Sequence, residues 1–104
     1  MQFASAETRQ TDSIFTVLIE KELIKVKEKN SPENEVIIKD ALTQMKILDV
    51  DYQNIILELK KDGENKSIIM ALIANLQTRI SFLQNVLQQI ESNEKIKIIS
   101  DETT

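Results

Sequence analysis

The side chains best equipped for chemistry here are three carboxylates, Asp49, Asp51 and Glu58, and a polar group further along, Asn75, Gln77 and Arg79. Clustered carboxylates can hold a divalent cation, but residues two apart on a helix point to different faces and no EF-hand loop is present. The three acids therefore read as a solvated helix face. His and Cys are both absent, which removes the commonest general base, any thiolate nucleophile and the ligands of structural zinc. A di-iron site in a helical bundle requires Glu-x-x-His pairs. A phosphate-cradling loop requires several glycines where this chain has only Gly63. Ser and Thr have no basic partner at triad-like positions. The expectation is a chain that is not an enzyme, with no catalytic residue, no metal and no cofactor.

Asn75, Gln77 and Arg79 lie beside an apolar seam, so packing is their first role. Counting outward from Gly63, position 51 stands opposite about position 75, one turn from Arg79 across a hairpin. This predicts an Asp51–Arg79 buttress with Asn75 next to it. The apolar stem of Arg79 can equally cover the core edge while its head stays in water.

The elements that position these residues follow from sparse punctuation. The only Pro, Pro32, and the only Gly, Gly63, divide 104 residues into three segments. Ser31-Pro32-Glu33 reads as a helix start, with Ser31 capping and Pro32 in the first turn. Lys60-Lys61-Asp62-Gly63 reads as a helix end. Helices are predicted over about 8–29, 32–61 and 65–97, joined by short loops that force antiparallel neighbours. In the second, Ile38, Ala41, Met45, Leu48, Tyr52, Ile55 and Leu59 form a heptad seam. In the third, Ile69, Ile73, Leu76, Ile80, Leu83, Leu87 and Ile90 form another. The expected fold is all-α: one domain, an antiparallel up-down-up three-helix bundle with long coiled-coil-like helices. A long hairpin that dimerises into four helices is the structural competitor.

The first helix is less regular. Phe15, Leu18, Ile19, Leu23 and Val26 mark one side, while Val17 and Ile24 stand a heptad apart on another. That pair meets either the edge of the bundle or a partner chain, a second copy included. Further apolar residues, Ile37, Ile47, Val50, Leu57, Met70, Phe82 and Val86, are expected to be absorbed mostly by three-helix packing. Lys95–Ile99 suits either a helical extension or a short strand, and the polar tail Ser100–Thr104 is expected to fray.

Composition bounds the function classes. With 41% hydrophobic and 29% charged residues the chain should fold, and one core is expected. Its 13 basic residues are interleaved with 17 acidic ones at a net charge of −4, an unfavourable field for nucleic acid. The longest apolar run, Ile68–Ala74, is too short to cross a bilayer. Residues 1–6 lack the features of a signal peptide, so export would depend on sequence outside this segment.

Residues from Ile68 to Glu91 (IIMALIANLQTRISFLQNVLQQIE) resemble the closing segment of bacterial membrane-anchored "anti-sigma factor"-type proteins. The stretches from Glu7-Thr8 to Glu22-Leu23, and from Ser31-Pro32-Glu33-Asn34 through Asp40-Ala41-Leu42 to Asp51-Tyr52, are similar to the same family. Asp40, Asp51, Tyr52, Asn75, Gln77 and Arg79 match its positions. The resemblance implies a soluble region on the periplasmic side of the inner membrane, following a short cytoplasmic stretch and one transmembrane helix, and it implies no catalytic residues. The function expected on this basis is an extracytoplasmic sensing or protein-interaction domain of a single-pass regulator, engaging a protein partner or associating as a homodimer. The alternative is a free cytoplasmic coiled-coil adaptor or structural module.

Overall fold

The computed structural model describes the backbone of residues 6–103 and the side chains of residues 8–96. Three helices account for almost all of it: α1 (Ala6–Glu28), α2 (Glu35–Asp62) and α3 (Lys66–Thr103). They run up, down and up as an all-α bundle in which α3 packs against both α1 and α2. α1 and α2 approach each other closely at few places, so α3 is the spine. At 38 residues it also sets the long dimension of a particle measuring 61 × 21 × 19 Å.

Each boundary has a local cause. α1 closes with a tightened turn in which the Lys29 amide donates to the Val26 carbonyl at 3.1 Å. α2 starts three residues later than expected. Ser31–Asn34 forms a separate turn closed by the Asn34 amide and the Ser31 carbonyl at 3.0 Å, and Asn34, not Ser31, stands at the N-cap position. The reason is the Asn34 side chain, only 1% exposed. Its Nδ2 donates to the Lys29 carbonyl at 2.9 Å and to Glu94 Oε1 at 3.2 Å, while its Oδ1 accepts from Asn93 Nδ2 at 3.4 Å. A fully satisfied buried amide holds the α1–α2 turn against the far half of α3.

α2 ends as anticipated at Gly63, whose φ of 78° and ψ of 174° lie in a region open essentially to glycine. Asn65 then caps α3, its Oδ1 accepting the Ile68 amide at 3.0 Å. α3 does not stop near 97. Its backbone stays helical through Lys95–Ile99 and the polar tail to Thr103, because no Gly or Pro follows Gly63 and extending a formed helix adds one hydrogen bond per residue. Residues 1–5, Thr104 and the side chains beyond 96 lie outside the described residues.

The core divides into two apolar clusters. The larger joins all three helices through Ile19, Val26, Ile38, Met45, Leu83 and Ile90. The smaller, Ile56, Leu59, Ile68 and Leu72, belongs to the α2–α3 hairpin. Tyr52 touches both. On α3 the fully buried line runs Ile68, Leu72, Leu76, Leu83, Val86 and Ile90, whereas Ile69, Ile73, Ile80 and Leu87 of the predicted seam are half-buried. A helix shared by two neighbours buries a face wider than one heptad seam, and its centre lies between the two contact lines. Of the extra apolar residues, Val86 is buried and Ile37 and Phe82 are half-buried. Contrary to the expectation that packing absorbs most of them, Ile47, Val50 and Leu57 on α2 and Met70 on α3 stay exposed, on sides of those helices that no third helix covers.

Candidate functional site

Between the two apolar clusters lies a polar layer built from all three helices. Arg79 projects from α3 with its side chain 14% exposed. Its Nη2 meets Asp49 Oδ1 at 3.6 Å, and its guanidinium carbon stands 5.6 Å from the centroid of the Tyr52 ring. The Tyr52 hydroxyl donates to Asp12 Oδ1 of α1. Below it, Asn75 Nδ2 donates to the Leu48 carbonyl at 2.9 Å. Asn75 Oδ1 and Arg79 Nε are buried without a protein partner. The layer therefore ties α1, through Asp12 and Tyr52, to a hairpin joined by Asn75 and Arg79.

The predicted buttress is corrected in one member. The carboxylate at Arg79 is that of Asp49, and Asp51 is exposed on another face of α2. Counting from the turn places the level along the hairpin but not the direction around the helix, and positions 49 and 51 point about 200° apart. Half of Asp49 is open to water, so this ion pair contributes little on its own. The ring contact and the buried Arg79 stem carry more of the attachment.

Electrostatics in the layer converge on Tyr52. Its phenol is held above the usual range, first by burial, then by the hydrogen bond and the negative charge of Asp12, with Arg79 acting in the opposite sense. A phenol that stays protonated and donates to a carboxylate is a fastening, not a base. Among the described residues no group of three or more His, Cys, Asp or Glu is placed to hold a metal ion. No helix among them is long and apolar enough to cross a membrane.

Above the layer a groove opens between α1 and α2, lined by Asp12, Val17, Glu20, Tyr52 and Gln53 and floored by Arg79. It exists because the α1 and α2 backbones stay apart while each packs on α3. The pair singled out on α1 stands at its rim and beyond: Val17 is 58% exposed and Ile24 56%. Ile14 and Leu18 extend this apolar row along the outer side of α1, and Ile47, Val50 and Leu57 form a second row on α2. In a single chain neither row is covered.

Three features were not anticipated from the residues: the buried Asn34, the Asp12–Tyr52 link and the choice of Asp49. Asn34 offered a signal, an Asn just before a helical segment. The other two depend on which faces meet between helices distant in sequence. The chain matches no family model, no curated protein and no solved structure.

Proposed function

We propose that this chain is a non-catalytic protein-interaction domain whose contact surface is the outer face of α1, within the extracytoplasmic part of a membrane-anchored regulator of the anti-sigma-factor type. One observation supports the interaction reading above the others: Ile14, Val17, Leu18 and Ile24 stand exposed on one helix of the chain, and all but Leu18 exceed half exposure. Single exposed apolar residues are ordinary, but several along one helix are the form in which helical surfaces engage partners. A partner that binds one arrangement of packed helices more tightly than another shifts their equilibrium, which is how such a domain would pass on a signal.

The test is photo-crosslinking in cells that make the protein, with the reactive group at position 17 or 24 and a control at Gln84, which is exposed on α3. Protein adducts from 17 and 24 and none from 84 are expected. No protein adduct from either α1 position overturns the reading. The membrane-anchored setting has its own test in the gene, where an apolar stretch of about 20 residues upstream of this segment is required.

A further inference from the structure

We infer that the partner of the α1 face is a second copy of this chain, docked antiparallel so that Val17 of each copy packs on Ile24 of the other and Glu20 of each pairs with Lys21 of the other. The inference rests on the interaction reading above and names the occupant of that surface.

Val17, Glu20, Lys21 and Ile24 stand at i, i+3, i+4 and i+7, a single line along α1. All four are exposed. Among the described residues Glu20 and Lys21 have no hydrogen bond or ion pair within their own chain. Their neighbour Lys25 is already engaged with Glu22 at 3.3 Å, which leaves the central charges available. Read in order, the line is apolar, acid, base, apolar. Reversed about its midpoint it becomes apolar, base, acid, apolar, the electrostatic complement of itself. An isologous two-fold contact needs that self-complementarity. A parallel pair would set Glu20 against Glu20 and Lys21 against Lys21, and like charges brought together oppose association. The charge pattern thus selects both the partner and the orientation.

The flanks agree with this register. Ile14 falls opposite Lys27 of the second copy, whose stem can cover it, and Leu18 widens the apolar strip. The exposed row on α2 serves the purpose less well, because an antiparallel pairing of Ile47 with Leu57 places Val50 over Asn54 at its centre. One helix seam buries less than the roughly 800 Å² per partner of a standard interface, so the dimer should be concentration-dependent, dissociating in the micromolar range.

Sedimentation equilibrium on the full chain over a wide concentration range tests this, with variants confined to exposed positions. The wild type should pass from monomer to dimer. Glu20→Lys and Lys21→Glu should each weaken dimerisation about tenfold or more, because two attractive pairs become two repulsive ones. The double variant E20K/K21E should restore it, and Val50→Asp should leave it unchanged. Orientation is read by disulfide trapping, for which the absence of native Cys gives a clean background. A mixture of Val17→Cys and Ile24→Cys chains should form the mixed disulfide in preference to either homodisulfide. A monomer at all concentrations, failure of the double variant to restore the dimer, loss of the dimer in V50D, or a dominant Val17→Cys homodisulfide would each overturn the inference. A monomer that still yields heterologous adducts from positions 17 and 24 leaves the interaction reading standing, whereas loss of all adducts removes both.

Discussion

Tyr52 is the only tyrosine in a chain without tryptophan, so its near-ultraviolet absorbance reports one group without interference. Burial and the Asp12 hydrogen bond raise its folded pKa above the unfolded value of about 10. A raised folded value means the unfolded chain releases this proton first. The stability it confers is fully present below about pH 10 and declines as pH climbs from there toward the folded value. Alkaline titration of the native protein should show the phenolate appearing later than in denaturant, and Tyr52→Phe should remove that part of the alkaline destabilisation. Coincident native and denatured titrations would mean the hydroxyl is not held by Asp12. Arg79 offers a second check. Arg79→Ala removes stem and charge, whereas Arg79→Met keeps an apolar stem, so Arg79→Ala should cost about 1–2 kcal/mol and Arg79→Met clearly less. Equal losses in chemical denaturation would assign the stabilisation to the charge, against the geometry of a half-exposed Asp49 partner.

At the scale of elements, the α1–α2 turn and the attachment of α1 are the informative parts. Asn34→Ala would strand the Lys29 carbonyl, remove the contact to Glu94 and leave Asn93 only the Glu33 carbonyl, a loss of about 1–3 kcal/mol. Ser31→Ala should stay within about 0.5 kcal/mol, since Ser31 does not occupy the cap position. Thermal melts of the two variants separate these roles: a larger effect at Ser31 would restore the cap expected from Ser31-Pro32-Glu33. Among the described residues α1 contributes only Ile19 and Val26 to the fully buried core, against five residues from α2 and six from α3. Its burial stabilises it by about 3–6 kcal/mol in gross terms, the least of the three. α1 is therefore the helix whose docking a partner on its outer face can most readily strengthen, and amide exchange should be fastest there in the isolated monomer.

The whole molecule is a rod. Its radius of gyration of 17.3 Å exceeds the roughly 13 Å of a compact chain of this length, and solution scattering at concentrations where the chain is monomeric should return about 17 Å. A value near 13 Å would mean the long α3 folds back on itself. Shape also bears on how two copies can meet. In the proposed register Ala6 of each copy lies 14.5 residues from the centre of the seam, so the two amino-terminal ends of α1 stand about 44 Å apart along the axis. Chains anchored in one membrane immediately ahead of α1 would instead be held parallel. The proposed dimer thus requires a tether able to span that distance, so the orientation read by disulfide trapping also constrains the anchored setting.

The three helices, their order and their antiparallel course were legible in the residues, because Pro32, Gly63 and the heptad spacing act locally and short loops leave few topologies. So was the isolation of Val17 and Ile24, since two apolar residues a heptad apart and off the main stripe remain off it once the helix packs. The tertiary structure alone decided which carboxylate meets Arg79, that Tyr52 fastens α1 through Asp12, and that Asn34 replaces Ser31 at the start of α2. Each of these depends on the rotation of one helix about its axis relative to another. Periodicity specifies that a helix has an apolar face, but the angle at which the face settles is set by packing against all its neighbours at once. For α3 those neighbours are two, so full burial keeps Leu76, Leu83 and Ile90 of the seam that spacing alone would choose and takes Ile68, Leu72 and Val86 from one residue to its side.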